Sequence, residues 1–129
     1  MEKRRCHRFS VPGTTACFKK KGVLHRKEEY PDNICPVLDM SRGGARFLTN
    51  DRIKLGLSVK VKLAIPDAKQ APEINAVVRW VSKNREESYR YQTGIAFNAY
   101  GDGKKENPTE ILSFIKSLES KYLPVNQKE

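Results

Sequence analysis

Ser58-Val59-Lys60-Val61-Lys62-Leu63-Ala64-Ile65 places Val59, Val61, Leu63 and Ile65 on one side and Lys60, Lys62 and Ala64 on the other, and Pro66 follows. A period of two is the signature of a β-strand with one face on a core and the other in water. Proline has no amide hydrogen to give a ladder, so the strand stops there. Downstream, Glu73 to Val81 repeats the period with Ile74, Ala76, Val78 and Trp80 on one face, while Val77 and Val81 suggest partial cover on the other. Tyr89 to Phe97 aligns Tyr89, Tyr91, Thr93, Ile95 and Phe97, and the polar Ser82 to Ser88 between these runs predicts a long hairpin. Upstream, from Phe9 to Thr49, short apolar stretches are separated by Pro12-Gly13, Gly22, Pro31-Asp32-Asn33 and Gly43-Gly44, punctuation that suits strands.

The period changes once, after Gly101-Asp102-Gly103. Asn107 is predicted to cap a helix, with Pro108 at its first position and Glu110 completing a capping-box-like arrangement. Ile111, Phe114, Ile115, Leu118 and Tyr122 follow helical spacing, Lys116 and Lys121 suit the negative end of the dipole, and Pro124 closes the element. Several antiparallel strands and one amphipathic helix predict an all-β fold, a small barrel with a C-terminal helix packed on it.

At 129 residues the chain has the length of one domain, here 1–123 with a basic arm at 1–8 and a short polar tail at 124–129. Its 25 Lys and Arg against 15 Asp and Glu give 25 − 15 = +10, a field that attracts nucleotides, nucleic acid and acidic membranes. A hydrophobic fraction of 38% supports a small β-rich core and excludes wholesale disorder. No apolar run reaches the roughly 18 residues that would cross a bilayer, and the start leads into no signal-peptide stretch, so membrane insertion is not expected and the cytoplasm is the expected location. Cys6, Cys17 and Cys35 are odd in number and form no C-x-x-C pair, which predicts reduced thiols.

Two segments carry chemistry. In Arg4-Arg5-Cys6-His7-Arg8, the outer arginines share one side, and in an extended chain their Cα atoms lie ~13 Å apart, enough to grip both ends of a dinucleotide. A guanidinium can bind guanine O6 and N7, stack on a purine or clamp a phosphate. In Asp39-Met40-Ser41-Arg42-Gly43-Gly44, the carboxylate can accept from N1–H and N2–H of guanine, a donor pair adenine lacks, while the hydroxyl and a glycine amide can meet phosphate oxygens. Taken singly, the first segment also reads as a solvated basic terminus and the second as a β-turn that satisfies its own backbone.

Taken together, Arg-x-x-x-Arg followed about thirty residues later by Asp-x-Ser-x-Gly-Gly resembles the PilZ family of bacterial cyclic di-GMP receptor domains. Val77-Val78-Arg79-Trp80 is similar to the family's V-x-W strand, and Tyr91-Gln92-Thr93-Gly94-Ile95-Ala96-Phe97 to its Gly-hydrophobic-x-Phe strand. The resemblance spans about Arg4 to Leu118 and implies a six-stranded antiparallel barrel with a C-terminal helix. It further implies that Arg4 and Arg8 wrap the dinucleotide, that Asp39, Ser41 and Gly44 form the floor under one guanine and its phosphate, and that Arg5 and Gly43 assist. Trp80 is similar to a position that borders the ligand in some members, and core or edge packing is its other reading. A basic residue just before Arg-x-x-x-Arg, here Lys3, accompanies a stacked two-molecule form of the ligand in the family. Two ligands per chain are therefore expected, one if Lys3 is a solvated terminal lysine. The charged insert around Lys19 to Tyr30 reads as a hairpin or a partner surface.

These features predict a receptor without cofactor or metal, which relays cyclic di-GMP to an effector protein when its N-terminal arm orders. A PilZ-like module that binds only protein is an alternative, although here every motif position is filled. A small basic β-barrel that binds single-stranded nucleic acid is the other alternative, weakened because most of the eleven aromatic residues fall on apolar faces of assigned elements. A zinc site from Cys6, His7, Cys17, His25 and Cys35 lacks knuckle spacing, and no nucleophile elbow flanks Ser41, so no enzymatic activity is expected.

Overall fold

The computed structural model describes residues 7–20, 34–85 and 88–123. Six strands, β1 (Thr15–Lys20), β2 (Cys35–Ser41), β3 (Gly44–Thr49), β4 (Ser58–Ala64), β5 (Glu73–Lys83) and β6 (Tyr91–Phe97), are followed by one helix, α1 (Thr109–Tyr122). They close a barrel in the order β1-β2-β3-β6-β5-β4, every pairing antiparallel. Among the described residues every strand has a neighbour on both sides, with β1 meeting β2 at Thr15 and Ala16. The predicted fold is the one observed, and the Pro124 stop lies outside the described residues, as do the insert's residues 21–30.

The alternation in β4 translates directly into packing. Val59, Val61 and Leu63 are buried in the barrel with Ile65 beyond the strand end, against Ile74, Ala76 and Val78 of β5 and Phe18, Phe47 and Ile95 of the other walls. Ile115 and Leu118 of α1 are buried in the same cluster, with Ile111, Phe114 and Tyr122 partly buried beside them. Cys35 belongs to this core. Burial, and then the nearby Cys17 and Asp51, push its thiol up to about 11, so it stays protonated at neutral pH.

Three sequence expectations are corrected. The strand expected from Tyr89 begins at Tyr91. Helix α1 starts at Thr109 with Pro108 in the cap position and no side-chain cap. Asn107 is fully buried instead: its Oδ1 accepts from the Asn75 amide at 2.7 Å, and its Nδ2 donates to the carbonyls of Asn75 and Asn98, both at 3.0 Å. An amide side chain offers an acceptor and two donors, which a cap would leave half used and which this site, where β5 outruns β6, fills completely. The third correction concerns Trp80. A bulge between Val78 and Trp80 adds Arg79 to the β5 side of the β5–β6 ladder, so the inward phase passes from Val78 to Val81 and the indole lies on the outside, 37% exposed.

Candidate functional site

The outward faces of four adjacent strands align one row of residues. Asp39 of β2 lies opposite Arg46 of β3, Arg46 opposite Gly94 of β6, and Gly94 opposite Trp80 of β5. Both ends of the row depend on bulges. In β2 the register shifts between Val37 and Asp39, so Leu38 is the extra residue and Asp39 points out while Met40 points into the core. Without the extra residue, Asp39 would follow Cys35 and Val37 inward, where an unpaired carboxylate is costly.

Asp39 is held from two sides. Its Oδ1 accepts from Arg8 Nη1 at 2.8 Å and its Oδ2 from Arg46 Nη2 at 2.8 Å, with the carboxylate side chain 14% exposed. Arg8 reaches it because Phe9, inserted in the core, exchanges both backbone hydrogen bonds with Met40 at 2.9 Å, and Ser10 Oγ donates to the Leu38 carbonyl at 2.8 Å. The chain from Arg8 onward is thus stitched alongside the end of β2, and the arginine is delivered to the carboxylate. Two guanidinium groups on one carboxylate leave the cluster with a net positive charge beside the turn.

The turn itself joins β2 to β3. Ser41 pairs with Gly44, and the buried Ser41 Oγ accepts from the Gly43 amide at 3.1 Å, which leaves its own proton to donate. Gly44 is required by close approach: a Cβ there would overlap the carbonyl oxygen of Ile95. At the far end of the row, a Cβ on Gly94 would overlap the Trp80 indole, so this glycine is the seat on which the ring rests. Gly94→Ala is expected to lift the ring, shift the fluorescence of the chain's one tryptophan, and weaken any ligand that stacks there by about tenfold, since base–aromatic stacking contributes ~1–3 kcal/mol. Trp80→Ala should show the same loss of affinity. Unchanged affinity in both proteins would detach the indole from the ligand.

Of the residues the sequence singled out, Arg8, Asp39, Ser41, Gly43, Gly44 and Trp80 fall on this one face, and Lys3, Arg4 and Arg5 lie outside the described residues. Arg46 was missed, although the motif held the signal. If Ser41 faces Gly44 across a two-residue turn, then Asp39 faces Arg46 by counting back along both strands. A depression of about 370 Å³ adjoins the row, lined by Val77, Arg79, Ala96, Phe97 and Lys105 among others. A larger one of about 790 Å³, between residues 68–73 and the start of α1, contains no motif residue.

A family model described as PilZ domain matches residues 2–112. Among solved structures, the chain is similar to YcgR from Escherichia coli in complex with c-di-GMP, with 16% identity and a TM-score of 0.62 over 93% of this chain and 47% of that one. It is also similar to the Bacillus subtilis inhibitor of motility MotI/DgrA, with 16% identity and a TM-score of 0.59 over 100% of this chain and 55% of that one. The chain therefore spans about half the length of these two proteins. No curated protein matches it.

Proposed function

Because the chain belongs to the PilZ domain family, we propose that it is a receptor for cyclic di-GMP, read at the Asp39, Arg46, Gly94 and Trp80 row and the adjoining turn. The observation that carries this reading is the doubly held Asp39 at one end of a row that has an exposed indole at the other. A purine stacked on Trp80 and a guanine edge on Asp39 are the two interactions that such a row can provide. The ligand complex of the structurally similar YcgR supports the same reading.

The recognition step is an exchange of partners. Arg8 meets Asp39 Oδ1 with one N–H donor, where the N1–H and N2–H edge of guanine would compete for the same carboxylate. A carboxylate has about four lone-pair sites, so Arg46 can keep its hold on Oδ2 while guanine takes the rest. Arg8, released, turns with Arg4 and Arg5 onto the phosphates, and the Ser41 hydroxyl at the turn donates to the same oxygens. Adenine offers no such paired donors, so cyclic di-AMP leaves Arg8 where it is.

Arm residues 1–6, which the sequence expects to order on binding, lie outside the described residues. The relay to an effector protein through that arm belongs to this proposal, as does a second ligand beside Lys3. No helix among the described residues is long and apolar enough to cross a membrane. Trp80 is the exposed aromatic residue among the described ones, whereas a groove that tracks a nucleic acid strand stacks successive bases on several. One platform suits a dinucleotide better.

Tryptophan fluorescence tests the reading. Cyclic di-GMP should quench Trp80 emission saturably and cyclic di-AMP should not. Emission that stays flat with both ligands, in a protein whose melting temperature is also unmoved, would overturn it.

A further inference from the structure

Arg42 is inside the ligand motif by sequence and turned away from it in space. Its Nε donates to Glu119 Oε1 at 2.8 Å and its Nη2 to Oε2 at 3.3 Å, a two-pronged grip on a residue 77 positions away on α1. Glu119 is 8% exposed, a carboxylate set on the buried face of the helix beside Ile115 and Leu118. Burial of a charge there is costly without a partner, so the pair is hard to break from either side. The turn is held from behind at two more points: Tyr100 Oη donates to the Arg42 carbonyl at 2.6 Å, and the Phe97 amide donates to the Gly43 carbonyl at 2.8 Å.

We infer that Glu119 is a positioning residue for the ligand turn, and that the Arg42–Glu119 pair couples that turn to the seat of helix α1. The inference rests on the cyclic di-GMP reading for what the turn binds, but the mechanical link stands on the contacts alone. Arg42 lies between Ser41, whose hydroxyl faces the site, and Gly43, whose amide is held by that hydroxyl oxygen. Fixing the Arg42 side chain on the helix therefore fixes both the Ser41 hydroxyl that would meet phosphate and the Gly43 amide that holds it in place. Linkage makes the coupling reciprocal: a protein that grips the C-terminal half of α1 changes the affinity of the turn for its ligand by the factor with which the ligand changes that protein's affinity.

Glu119→Gln keeps the shape of the side chain and removes the charge, and Ile115→Val, a conservative change on the same buried helix face, controls for helix packing alone. Two readouts are taken. Without ligand, amide hydrogen exchange at Gly43 should rise by about tenfold in Glu119→Gln and stay unchanged in Ile115→Val. With cyclic di-GMP, the Glu119→Gln affinity should fall by about tenfold although the residue touches no ligand atom, and Arg42→Lys, which keeps the charge without the two-pronged grip, should fall between it and the native protein. Exchange at Gly43 unmoved by Glu119→Gln, or moved equally by Ile115→Val, overturns the inference. A native protein that takes up no cyclic di-GMP would overturn the ligand reading instead, and the exchange measurement would still decide the role of Glu119.

Discussion

Asp39→Ala is expected to lower the affinity for cyclic di-GMP by about 100-fold or more while leaving the barrel folded. The loss follows from two charge-assisted hydrogen bonds to guanine, each ~1.5–3 kcal/mol, at about tenfold per 1.4 kcal/mol. The fold should survive because Asp39 points away from the core, and its removal leaves Arg8 and Arg46 at partly exposed positions that water can reach. Lys69→Ala, which removes one exposed charge at the depression that contains no motif residue, should change affinity by less than about twofold at physiological salt. Asp39→Asn adds a sharper test, since its amide can no longer accept both guanine donors and the preference over cyclic di-AMP should narrow. Affinity within tenfold of the native value in Asp39→Ala would mean that the net field of the chain, rather than this carboxylate, captures the ligand.

The second large effect is on stability. Asn107→Ala removes an acceptor from the Asn75 amide and a donor from the Asn98 carbonyl, while the Asn75 carbonyl keeps the Asn98 amide at 2.8 Å. Two partly buried backbone groups left unpaired cost ~1–3 kcal/mol each, so a loss of about 3 kcal/mol and a fall of about 10 °C in melting temperature are expected by calorimetry. Asn107→Asp, which keeps the acceptor but turns a carboxylate oxygen toward the Asn75 and Asn98 carbonyls in a fully buried site, should lose at least as much. A fall of less than about 3 °C for the alanine protein would mean that water replaces the amide and that the clamp between β5 and the loop before α1 is dispensable.

How much of this was legible in the sequence is set by where the period of two holds. In β4 it holds from end to end, and Val59, Val61, Leu63 and Ile65 are all in the core. It fails at Leu38 and at Arg79, each an extra residue that one strand of a ladder carries and the other lacks. Counting by twos from Ile74 therefore places Trp80 inside, and the structure places it outside. Both failures flank the candidate site, because a bulge is the means by which a closed barrel turns a chosen side chain outward. The motif residues were found through resemblance and the helix through its spacing. Asn107 was misread for a different reason: a cap and a buried clamp ask for the same residue type, and only tertiary packing separates them. The Arg42–Glu119 pair joins positions 77 apart, beyond what any local pattern encodes.

A calorimetric titration of the native protein with cyclic di-GMP, run beside cyclic di-AMP and GTP, measures the ligand, its selectivity and its stoichiometry together. Saturable heat with a dissociation constant of about 50 μM or tighter for cyclic di-GMP, and none for the other two, is the predicted result. An endpoint near two ligands per chain that falls toward one in Lys3→Leu would assign Lys3 to a second bound molecule. The absence of heat from a folded sample, or equal heat from cyclic di-AMP, would contradict a guanine-reading site at Asp39.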